Sequence, residues 1–454
     1  MAKIVIVGAG LTGLSAAYHL EKRNFFDFTI FEKEPIAGGL CRSITQNGFT
    51  FDFTGHLLHT SDPYFKKFIA DIVSFDNLET INRRSFVYSH DTFTRYPFQI
   101  NLFGLPSSVI AECIQGYVER QKSRHKSHSF PQWVLQNFGS GFARHFFLPF
   151  QRKIFSYDLR GITASWTGRF VPKTSLQEMI QGAIQDNTDE TIGYNAHFYY
   201  PKSGGIQFWI DKLRNQLTTP IHTNYQVEHI DMNKKIIRFT NGHEEEFGQL
   251  INTIPLDNFI HMLKEKPNTT FKHALTKLKC NSVVNFNLGI NRPNLSEKHW
   301  IYFPEKQFPF YRVGFPHNFA RSTAPANCSS LYGEFSHVNI SKKRINLLLQ
   351  ASLHQIKKLL KIADNEILIE KVIHISHAYV IYNFWREKYL PSLLNQLANN
   401  HIFSIGRYGA WKYSSMQEAV LDGKKIAEQL TILPAKTSYY ESPTPSQEKQ
   451  KEWI

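Results

Sequence analysis

Three glycines near the start of the chain have the spacing of a phosphate-binding turn. The apolar run at 3–7 predicts a strand that is buried on both faces, and Gly8, Gly10 and Gly13 follow it at G-x-G-x-x-G spacing. In such a turn the first glycine permits a tight bend, the second lets the backbone approach a pyrophosphate, and the third lets the helix pack closely on the strand. The first turn of that helix then offers unpaired N–H groups to the anion.

A second strand and an acidic residue follow at the distance that dinucleotide binding requires. The run FTIF at 28–31 predicts this strand, and Glu32 ends it about twenty residues after the glycines, where a carboxylate can bind a ribose hydroxyl. A tight turn that holds no ligand is the alternative interpretation of the glycines alone. Strand, glycines, helix, strand and acid in this order predict dinucleotide binding.

A second glycine pair, at 38–39, and Arg42 lie just beyond the second strand. This pattern resembles flavoproteins of the amine oxidase and protoporphyrinogen oxidase superfamily, in which the chain crosses back over the pyrophosphate and the flavin. Two later features fit the resemblance: Val227 before a turn and the strand IIRFT, and Gly406-Arg407 after the strand FSI. The alternative for the last feature is an ordinary closing βα unit. The resemblance implies FAD, with contacts at Gly8, Gly10, Leu11, Gly13, Glu32, Gly39, Leu40, Arg42, Gly55, His56, Val227, Gly406, Arg407 and Met416.

Composition and charge limit the classes of protein to consider. The chain has 454 residues, 42% of them hydrophobic, with 37 Phe, 20 Tyr and 7 Trp, enough for a large core and an aromatic pocket. The net charge of +14 suggests anionic small-molecule partners, and no motif supports nucleic-acid binding. Four scattered cysteines predict no metal site and favour a reducing compartment. No apolar stretch reaches the ~18 residues of a membrane span, so we expect a cytoplasmic protein without a transmembrane segment, of undetermined oligomeric state.

The order of patterns predicts an α/β fold in several segments. A discontinuous Rossmann-like FAD-binding domain, of the GR2 type implied by the resemblance, is expected at 1–60, 201–260 and 400–432. Residues 61–200 predict an inserted, mainly helical cap, and residues 261–399 predict a substrate domain with an antiparallel sheet. Within that domain, strands are predicted at 282–290, 298–303, 309–315 and 329–336, and an amphipathic helix at 341–362. The tail at 434–454 is expected to be disordered.

Several blocks elsewhere resemble UDP-galactopyranose mutases, particularly the eukaryotic type. They occur in the mutase order: GFTFDFTGH at 48–56, YPFQIN at 96–101, WTGRFV at 166–171, HWIYFP at 299–304 with PFYR at 309–312, and GRYGAWKY at 406–413. The resemblance implies catalytic roles for His56, Arg169 and Arg312. It implies substrate contacts at Tyr96, Gln99, Arg169, Trp300, Tyr302, Arg312 and Tyr413.

These residue types suit a sugar diphosphate. Arg169 and Arg312 can each offer a bidentate fork to phosphate oxygens, which lysine does less well. Tyr302 and Tyr413 can donate hydroxyl hydrogen bonds to the same phosphates, and Trp300 can stack on a sugar or a uracil. Ordinary ion pairs are the alternative for the two arginines, and a structural role is the alternative for the histidine.

Two departures from the mutase pattern leave the identity of the sugar open. Tyr413 is followed by Ser-Ser-Met-Gln-Glu-Ala where the mutases have an asparagine and an aspartate-histidine pair, and the segment 416–419 is more similar to the flavin-contact helix of amine oxidase relatives. Phe319 stands where the mutases often carry a phosphate-binding tyrosine. Neither departure affects the flavin motifs or the arginine pair.

The sequence therefore predicts a FAD-dependent UDP-sugar mutase that interconverts the pyranose and furanose forms of a UDP-hexose such as UDP-galactose. The resemblance implies a flavin reduced by NAD(P)H and a covalent flavin N5–sugar adduct. The alternative is a FAD-dependent oxidoreductase of the amine oxidase or protoporphyrinogen oxidase type, whose apolar substrate would need an uncharged channel. A FAD-binding protein without catalytic activity is a third hypothesis.

Overall fold

A computed structural model describes residues 3–120, 129–186 and 196–432 of the chain. The tail predicted to be disordered, at 434–454, lies outside the described residues. The strands are β1 (Ile4–Val7), β2 (Phe28–Phe31), β3 (Ser43–Gln46), β4 (Phe49–Asp52), β5 (Leu78–Asn82), β6 (Ser85–Ser89), β7 (Thr92–Arg95), β8 (His197–Pro201), β9 (Ile221–His222), β10 (Val227–Asp231), β11 (Ile236–Phe239), β12 (Glu244–Glu246), β13 (Gln249–Asn252), β14 (Ser282–Ile290), β15 (Trp300–Tyr302), β16 (Arg312–Gly314), β17 (Ser329–His337), β18 (Ile367–Ile375) and β19 (Ile402–Ser404). The α-helices are α1 (Leu11–Glu21), α2 (Pro63–Val73), α3 (Ser107–Glu119), α4 (Phe130–Phe142), α5 (Leu148–Phe155), α6 (Leu176–Ile184), α7 (Gln207–Arg214), α8 (Leu256–Met262), α9 (Thr269–Lys277), α10 (Lys342–Leu360), α11 (Phe384–Asn399), α12 (Gly406–Gly409) and α13 (Met416–Thr431).

A parallel sheet of five strands, in the order β19-β13-β1-β2-β9, forms the first layer. Strand β1 is apolar along its whole length and fully buried, as expected for a central strand with helices on both faces. The strands align so that Val7 lies beside Phe31 and Asn252, and Asn252 lies beside Ser404. Their carboxyl ends therefore meet at one edge of the sheet, where ligands bind in folds of this kind.

A sheet of seven strands, in the order β18-β14-β17-β16-β15-β6-β7, forms the second large layer. Its neighbours are antiparallel except for β15 and β6, which are parallel. The amphipathic helix α10 covers this sheet with buried Leu353 and Ile356, which belong to one apolar cluster with Val284 and Phe286 of β14. The predicted class, α/β with a Rossmann-like FAD-type domain, a helical insertion and an antiparallel substrate sheet, is confirmed.

The region 61–200, predicted as a mainly helical cap, contains both helices and strands in its described part. Helices α3 and α4 cross in backbone contact, because a Cβ on Gly139, whose φ is 81°, would lie 2.0 Å from the carbonyl oxygen of Gly116. The hairpin β6–β7 from the same region completes the edge of the seven-stranded sheet. The hairpin β6–β7 thus connects the predicted cap to the substrate sheet. The division of the chain into segments stays a prediction.

Within residues 3–120, 129–186 and 196–432, every helix is too short or too polar to cross a lipid bilayer.

Candidate active site

The turn between β1 and α1 has the shape of a phosphate cradle. Gly8 adopts φ 96°, and a Cβ there would lie 2.5 Å from Thr253 Oγ1, while a Cβ on Gly13 would lie 2.0 Å from the Gly8 oxygen. The Glu32 carboxylate closes the turn, since it accepts a hydrogen bond from the Ala9 N–H at 2.8 Å. These glycines are thus required by the packing of the protein itself.

Gly10 differs from the other two glycines of the cradle. Its φ is −71°, and a Cβ there would meet only the Gly39 Cα, at 3.8 Å, an ordinary van der Waals distance. Nothing in the described packing therefore excludes a side chain at this position. The space that a side chain would fill is where the backbone of such turns approaches a pyrophosphate, so the cradle fits FAD.

Replacing Gly10 by alanine is expected to lower the affinity for FAD by about tenfold or more while leaving the melting temperature of the FAD-free protein unchanged. The added methyl group fits the protein but occupies the approach to the pyrophosphate. FAD titration and thermal melting of the FAD-free chain measure the two effects. Gly13→Ala is the contrasting variant, because its Cβ must displace backbone and should destabilise the FAD-free fold. Equal FAD affinity in Gly10→Ala and the unaltered chain would contradict the fit.

The later segments predicted to contact FAD return to the same part of the fold. Gly406 follows β19 with φ 79°, where a Cβ would lie 2.6 Å from Thr12 Oγ1 on α1. Met416, 9% exposed, is the first residue of α13, which packs along α1. Arg42 donates from Nε to the carbonyl oxygen of Gly39 at 2.9 Å. The remaining predicted contacts are Leu11 at the start of α1, Leu40 and Gly55 in the loops after β2 and β4, and Val227 at the start of β10.

His56 and Arg407 lie close to the predicted flavin region. Burial, followed by the charges of Arg407 and Arg312, lowers the pKa of His56 from 6.5 to about 4, so the ring is neutral at physiological pH. The buried Nδ1 atom of His56 has no hydrogen-bond partner within the described residues, so a ligand can supply one. Arg407 is held in place, since it donates to the carbonyl oxygens of Ser414 at 2.6 Å and Ala378 at 3.0 Å.

A cavity of about 140 Å³ lies between the cap helices and the seven-stranded sheet. It is lined by Tyr96, Gln99, Phe146, Phe147, Phe150, Gln151, Ile154, Phe155, Trp166, Phe170, Val171, Tyr302, Tyr311, Arg312, Tyr379 and Tyr413. Five predicted substrate residues are therefore brought together from segments that are distant in the sequence: Tyr96, Gln99, Tyr302, Arg312 and Tyr413. Arg169 lies in the 3₁₀ turn Gly168–Phe170 beside this lining, and its side chain lies outside the described part of the structure.

Arg312 reaches the cavity as one partner of a buried ion pair. Its Nε donates to Glu334 Oε2 at 3.1 Å and its Nη2 donates to Glu334 Oε1 at 2.8 Å, and the Glu334 side chain is fully buried. Burial alone would lower the pKa of the Arg312 guanidinium, but Glu334 raises it well above its ordinary value. The bidentate pair fixes the plane of the guanidinium and leaves Nη1 for a ligand.

Tyrosine hydroxyls supply most of the other polar groups of the cavity. The rings of Tyr96 and Tyr302 lie 5.1 Å apart, and the ring of Tyr413 lies 4.6 Å from Phe170 and stacks on Tyr379 at 6.3 Å. Burial raises the pKa of Tyr96, Tyr302 and Tyr379 above the ordinary value, so these hydroxyls remain protonated and can donate hydrogen bonds. Aromatic walls with hydroxyl donors suit a ligand that has both a flat ring and an anion.

Trp300 is not part of the cavity lining. Its side chain is 6% exposed and belongs to a separate apolar cluster with Phe198, Phe319 and Tyr332. Trp300 and Tyr302 are two residues apart on β15 and therefore face the same side of the sheet, and Tyr302 packs against this cluster as well as lining the cavity. The predicted stacking of Trp300 on a sugar or uracil stays a prediction.

Several residues of the site were missed by sequence reasoning. Tyr311 and Tyr379 line the cavity, and Glu334 holds Arg312. A charged residue inside the otherwise apolar run LYGEF of β17 was the available signal for Glu334, because a buried carboxylate needs a partner. No comparable signal marks the two tyrosines.

A family model for flavin containing amine oxidoreductases matches residues 11–431. The chain belongs to the flavin containing amine oxidoreductase family. A crystal structure of reduced UDP-galactopyranose mutase is similar to this family member over 98% of this chain and 97% of the mutase, with a TM-score of 0.90 and 25% identity. The predicted resemblance to a mutase-like flavoprotein of this superfamily is confirmed, and the family implies an FAD-dependent enzyme.

Two curated relatives match shorter parts of this amine oxidoreductase family member. The 4,4′-diapophytoene desaturase of Staphylococcus aureus (strain COL) is 31% identical over 86 residues, which are 19% of this chain and 17% of the relative. Protoporphyrinogen oxidase 2, chloroplastic/mitochondrial, of Arabidopsis thaliana is 34% identical over 70 residues, which are 15% of this chain and 14% of the relative. The chain thus matches less than a fifth of the length of either relative.

Proposed function

We propose that this enzyme is a UDP-sugar mutase that uses FAD to interconvert the pyranose and furanose forms of a UDP-hexose such as UDP-galactose. The observation that carries the proposal is the cavity in which Tyr96, Gln99, Tyr302, Arg312 and Tyr413 converge. The similarity of the whole fold to a UDP-galactopyranose mutase supports the same function.

The arrangement of Arg312 and the tyrosines suits the diphosphate of such a substrate. Glu334 occupies Nε and Nη2 of the guanidinium, and Nη1 is left to bind a phosphate oxygen. The hydroxyls of Tyr302 and Tyr413 can donate to the remaining phosphate oxygens. Charge-assisted hydrogen bonds of this kind stabilise the negative charge that develops on a departing UDP.

Aromatic side chains around these donors suit the uracil and exclude water. Phe146, Phe150 and Trp166 form one side of the cavity, and the Gln99 side chain is fixed by donation from Nε2 to the Pro172 oxygen at 2.9 Å.

Reduced FAD, when bound, supplies the nucleophile for the anomeric carbon of the sugar, and NAD(P)H is the proposed reductant. The protein's part is to hold the sugar against the cofactor and to hold UDP while the sugar ring changes form. His56 is neutral and has an unpaired buried Nδ1, so it can exchange a hydrogen bond with cofactor or sugar without adding positive charge.

The alternative activity is oxidation of an amine, a porphyrinogen or a polyene, as in other members of the superfamily. An apolar substrate such as a polyene needs an uncharged channel, whereas this cavity contains a guanidinium and several hydroxyls. Those polar groups favour the mutase activity.

Anaerobic incubation of the reduced, FAD-loaded enzyme with UDP-galactopyranose tests the proposal. We expect UDP-galactofuranose to form, with no net oxidation of the flavin, and we expect UDP to bind the oxidised enzyme. Tyr413→Phe should weaken UDP binding by about tenfold, because one hydrogen bond to a charged group is lost. Tyr389→Phe on α11, outside the cavity, is the matched control and should bind UDP normally. Absence of UDP binding, or flavin reduction by an amine or porphyrinogen without UDP binding, would refute the mutase function.

A further inference from the structure

Two histidines outside the cavity face each other across the junction of the cap and the seven-stranded sheet. His90 lies in the turn between β6 and β7, and His145 lies between α4 and α5. His90 Nε2 and His145 Nδ1 are 3.2 Å apart, and the ring planes are inclined at 61°. The two side chains are 29% and 12% exposed, so solvent reaches the pair.

Irregular backbone holds both histidines in place. His90 and Asp91 have φ values of 52° and 56°, so two residues with side chains occupy the left-handed positions of a tight hairpin turn, where glycine is favoured. His145 is the central residue of the π-helical turn Ala143–Phe147, an element that occurs frequently at functional sites.

Each imidazole has a carboxylate behind its remote nitrogen. His145 Nε2 is 3.0 Å from Glu112 Oε2, and His90 Nδ1 is 3.9 Å from Glu305 Oε1. The backbone N–H of His90 also donates to Glu305 Oε1, at 3.0 Å. A carboxylate hydrogen-bonded as Glu112 is to His145 fixes the ring orientation of a metal-binding histidine and makes the facing nitrogen a better ligand.

We propose that His90 Nε2 and His145 Nδ1 bind a divalent transition-metal ion of the Zn²⁺ class. Two nitrogens bound tetrahedrally to Zn²⁺ at 2.0–2.1 Å lie about 3.3 Å apart, close to the separation of this pair. Imidazole nitrogen is a preferred ligand of Zn²⁺, Cu²⁺ and Ni²⁺, whereas Mg²⁺ prefers oxygen. No set of three His, Cys, Asp or Glu side chains forms a metal site within the described residues, so water completes the coordination.

The charges around the pair are compatible with a cation. Arg144 donates to Glu112 Oε2 at 2.7 Å, and Lys153 donates from Nζ to the backbone oxygen of Glu305 at 3.2 Å. Glu112 and Glu305 together offset this guanidinium and this ammonium. Binding requires the His90 tautomer with its proton on Nδ1, the nitrogen that faces Glu305, and the His145 tautomer with its proton on Nε2, the nitrogen that faces Glu112.

An ion at this site would connect two walls of the cavity. Phe146 and Phe147 follow His145 directly in the π-helical turn, and both line the cavity. Glu305 lies in the connection between β15 and β16, and Lys153 of α5 donates from Nζ to its carbonyl oxygen at 3.2 Å. The ion would therefore fasten the cap to the strands that carry Tyr302 and Arg312. The binding itself does not depend on the proposed mutase activity.

Calorimetric titration of the FAD-loaded, untagged full chain with ZnCl₂ tests the proposal. His90→Asn and His145→Gln should each lower the Zn²⁺ affinity of one site by at least about tenfold. Asparagine tolerates the left-handed φ at 90, so this variant keeps the turn. His354→Gln, an exposed histidine of α10, is the matched control and should retain the site. MgCl₂ should give no comparable binding.

Electron paramagnetic resonance of added Cu²⁺ supplies a second measurement. The unaltered chain should show a Cu²⁺ signal with two coupled nitrogens, and either histidine variant should lose this signal. Thermal melting in EDTA identifies any variant that fails to fold. If His145→Gln fails to fold, His90→Asn on the hairpin turn still tests the site. Unchanged Zn²⁺ stoichiometry and affinity in both folded variants, or no Zn²⁺ binding by the unaltered chain, would overturn the proposal.

Discussion

Replacing Glu334 by alanine is expected to destabilise the fold by about 3–5 kcal/mol and to abolish UDP binding. The carboxylate is fully buried and makes two hydrogen bonds to Arg312, at 2.8 and 3.1 Å. Its removal leaves the mostly buried guanidinium, whose side chain is 20% exposed, without a counter-charge and free to change its orientation. Urea unfolding of the FAD-loaded chain measures the loss of stability, and UDP titration measures the loss of binding.

The reverse variant and the double variant separate stability from binding. Arg312→Met should destabilise the fold by a similar amount, because it leaves the Glu334 carboxylate buried alone. Arg312→Met combined with Glu334→Leu removes both charges and should restore most of the lost stability, since apolar replacements of buried ion pairs are often neutral or stabilising. UDP binding should stay absent in the double variant. If that variant bound UDP as tightly as the unaltered chain, Arg312 would have no role in substrate binding.

The cofactor half could be predicted from the sequence because its signals are local. The glycine turn and the short buried strands around it each occupy a few consecutive residues. In the substrate sheet, β14 at Ser282–Ile290 coincides with its predicted run, and β17 at Ser329–His337 nearly does. Strands β15 and β16 are shorter than predicted. Pro304 and Pro309 lie between them, and proline cannot donate to a strand ladder, so pairing ends before these residues.

The composition of the substrate site depends on contacts that no local pattern encodes. Strand register places Glu334 opposite Arg312. Trp300 shares the face of β15 that carries Tyr302 but packs in an apolar cluster with Phe198 and Phe319 instead of lining the cavity. Parallel pairing of β6 with β15 joins segments that are distant in the chain, and so brings His90 near Glu305. Residue types and mutase-like blocks predicted which side chains to consider, but only the three-dimensional structure shows which of them share a cavity.

Acid is expected to unfold the protein between about pH 6.5 and pH 4. Burial lowers the pKa of His19, His56 and His59 from 6.5 to about 4, and that of His299 to about 3. Between these values the unfolded chain binds more protons than the folded chain, so stability is complete above pH 6.5 and falls as the pH falls through this range. For His19 alone the loss reaches about 3 kcal/mol. Asp52 acts in the opposite sense, since burial raises its pKa from 3.8 to about 6, but one such group does not offset four histidines.

His19→Gln tests this mechanism without touching the site. His19 packs against Tyr64 and Phe68 of α2, and its ring nitrogens form hydrogen bonds with Ser15 and Tyr64. A glutamine amide can share these roles without titrating. Urea unfolding at pH 5, 6 and 7 should show a slope of stability against pH that is shallower than that of the unaltered chain by about 1 kcal/mol per pH unit on average, because the unfolded histidine titrates near pH 6.5 within this range. The exposed His354→Gln should keep the original slope. Equal slopes in His19→Gln and the unaltered chain would contradict the mechanism. His19 is chosen because the same experiment at His56 would mix the stability of the fold with the binding of FAD.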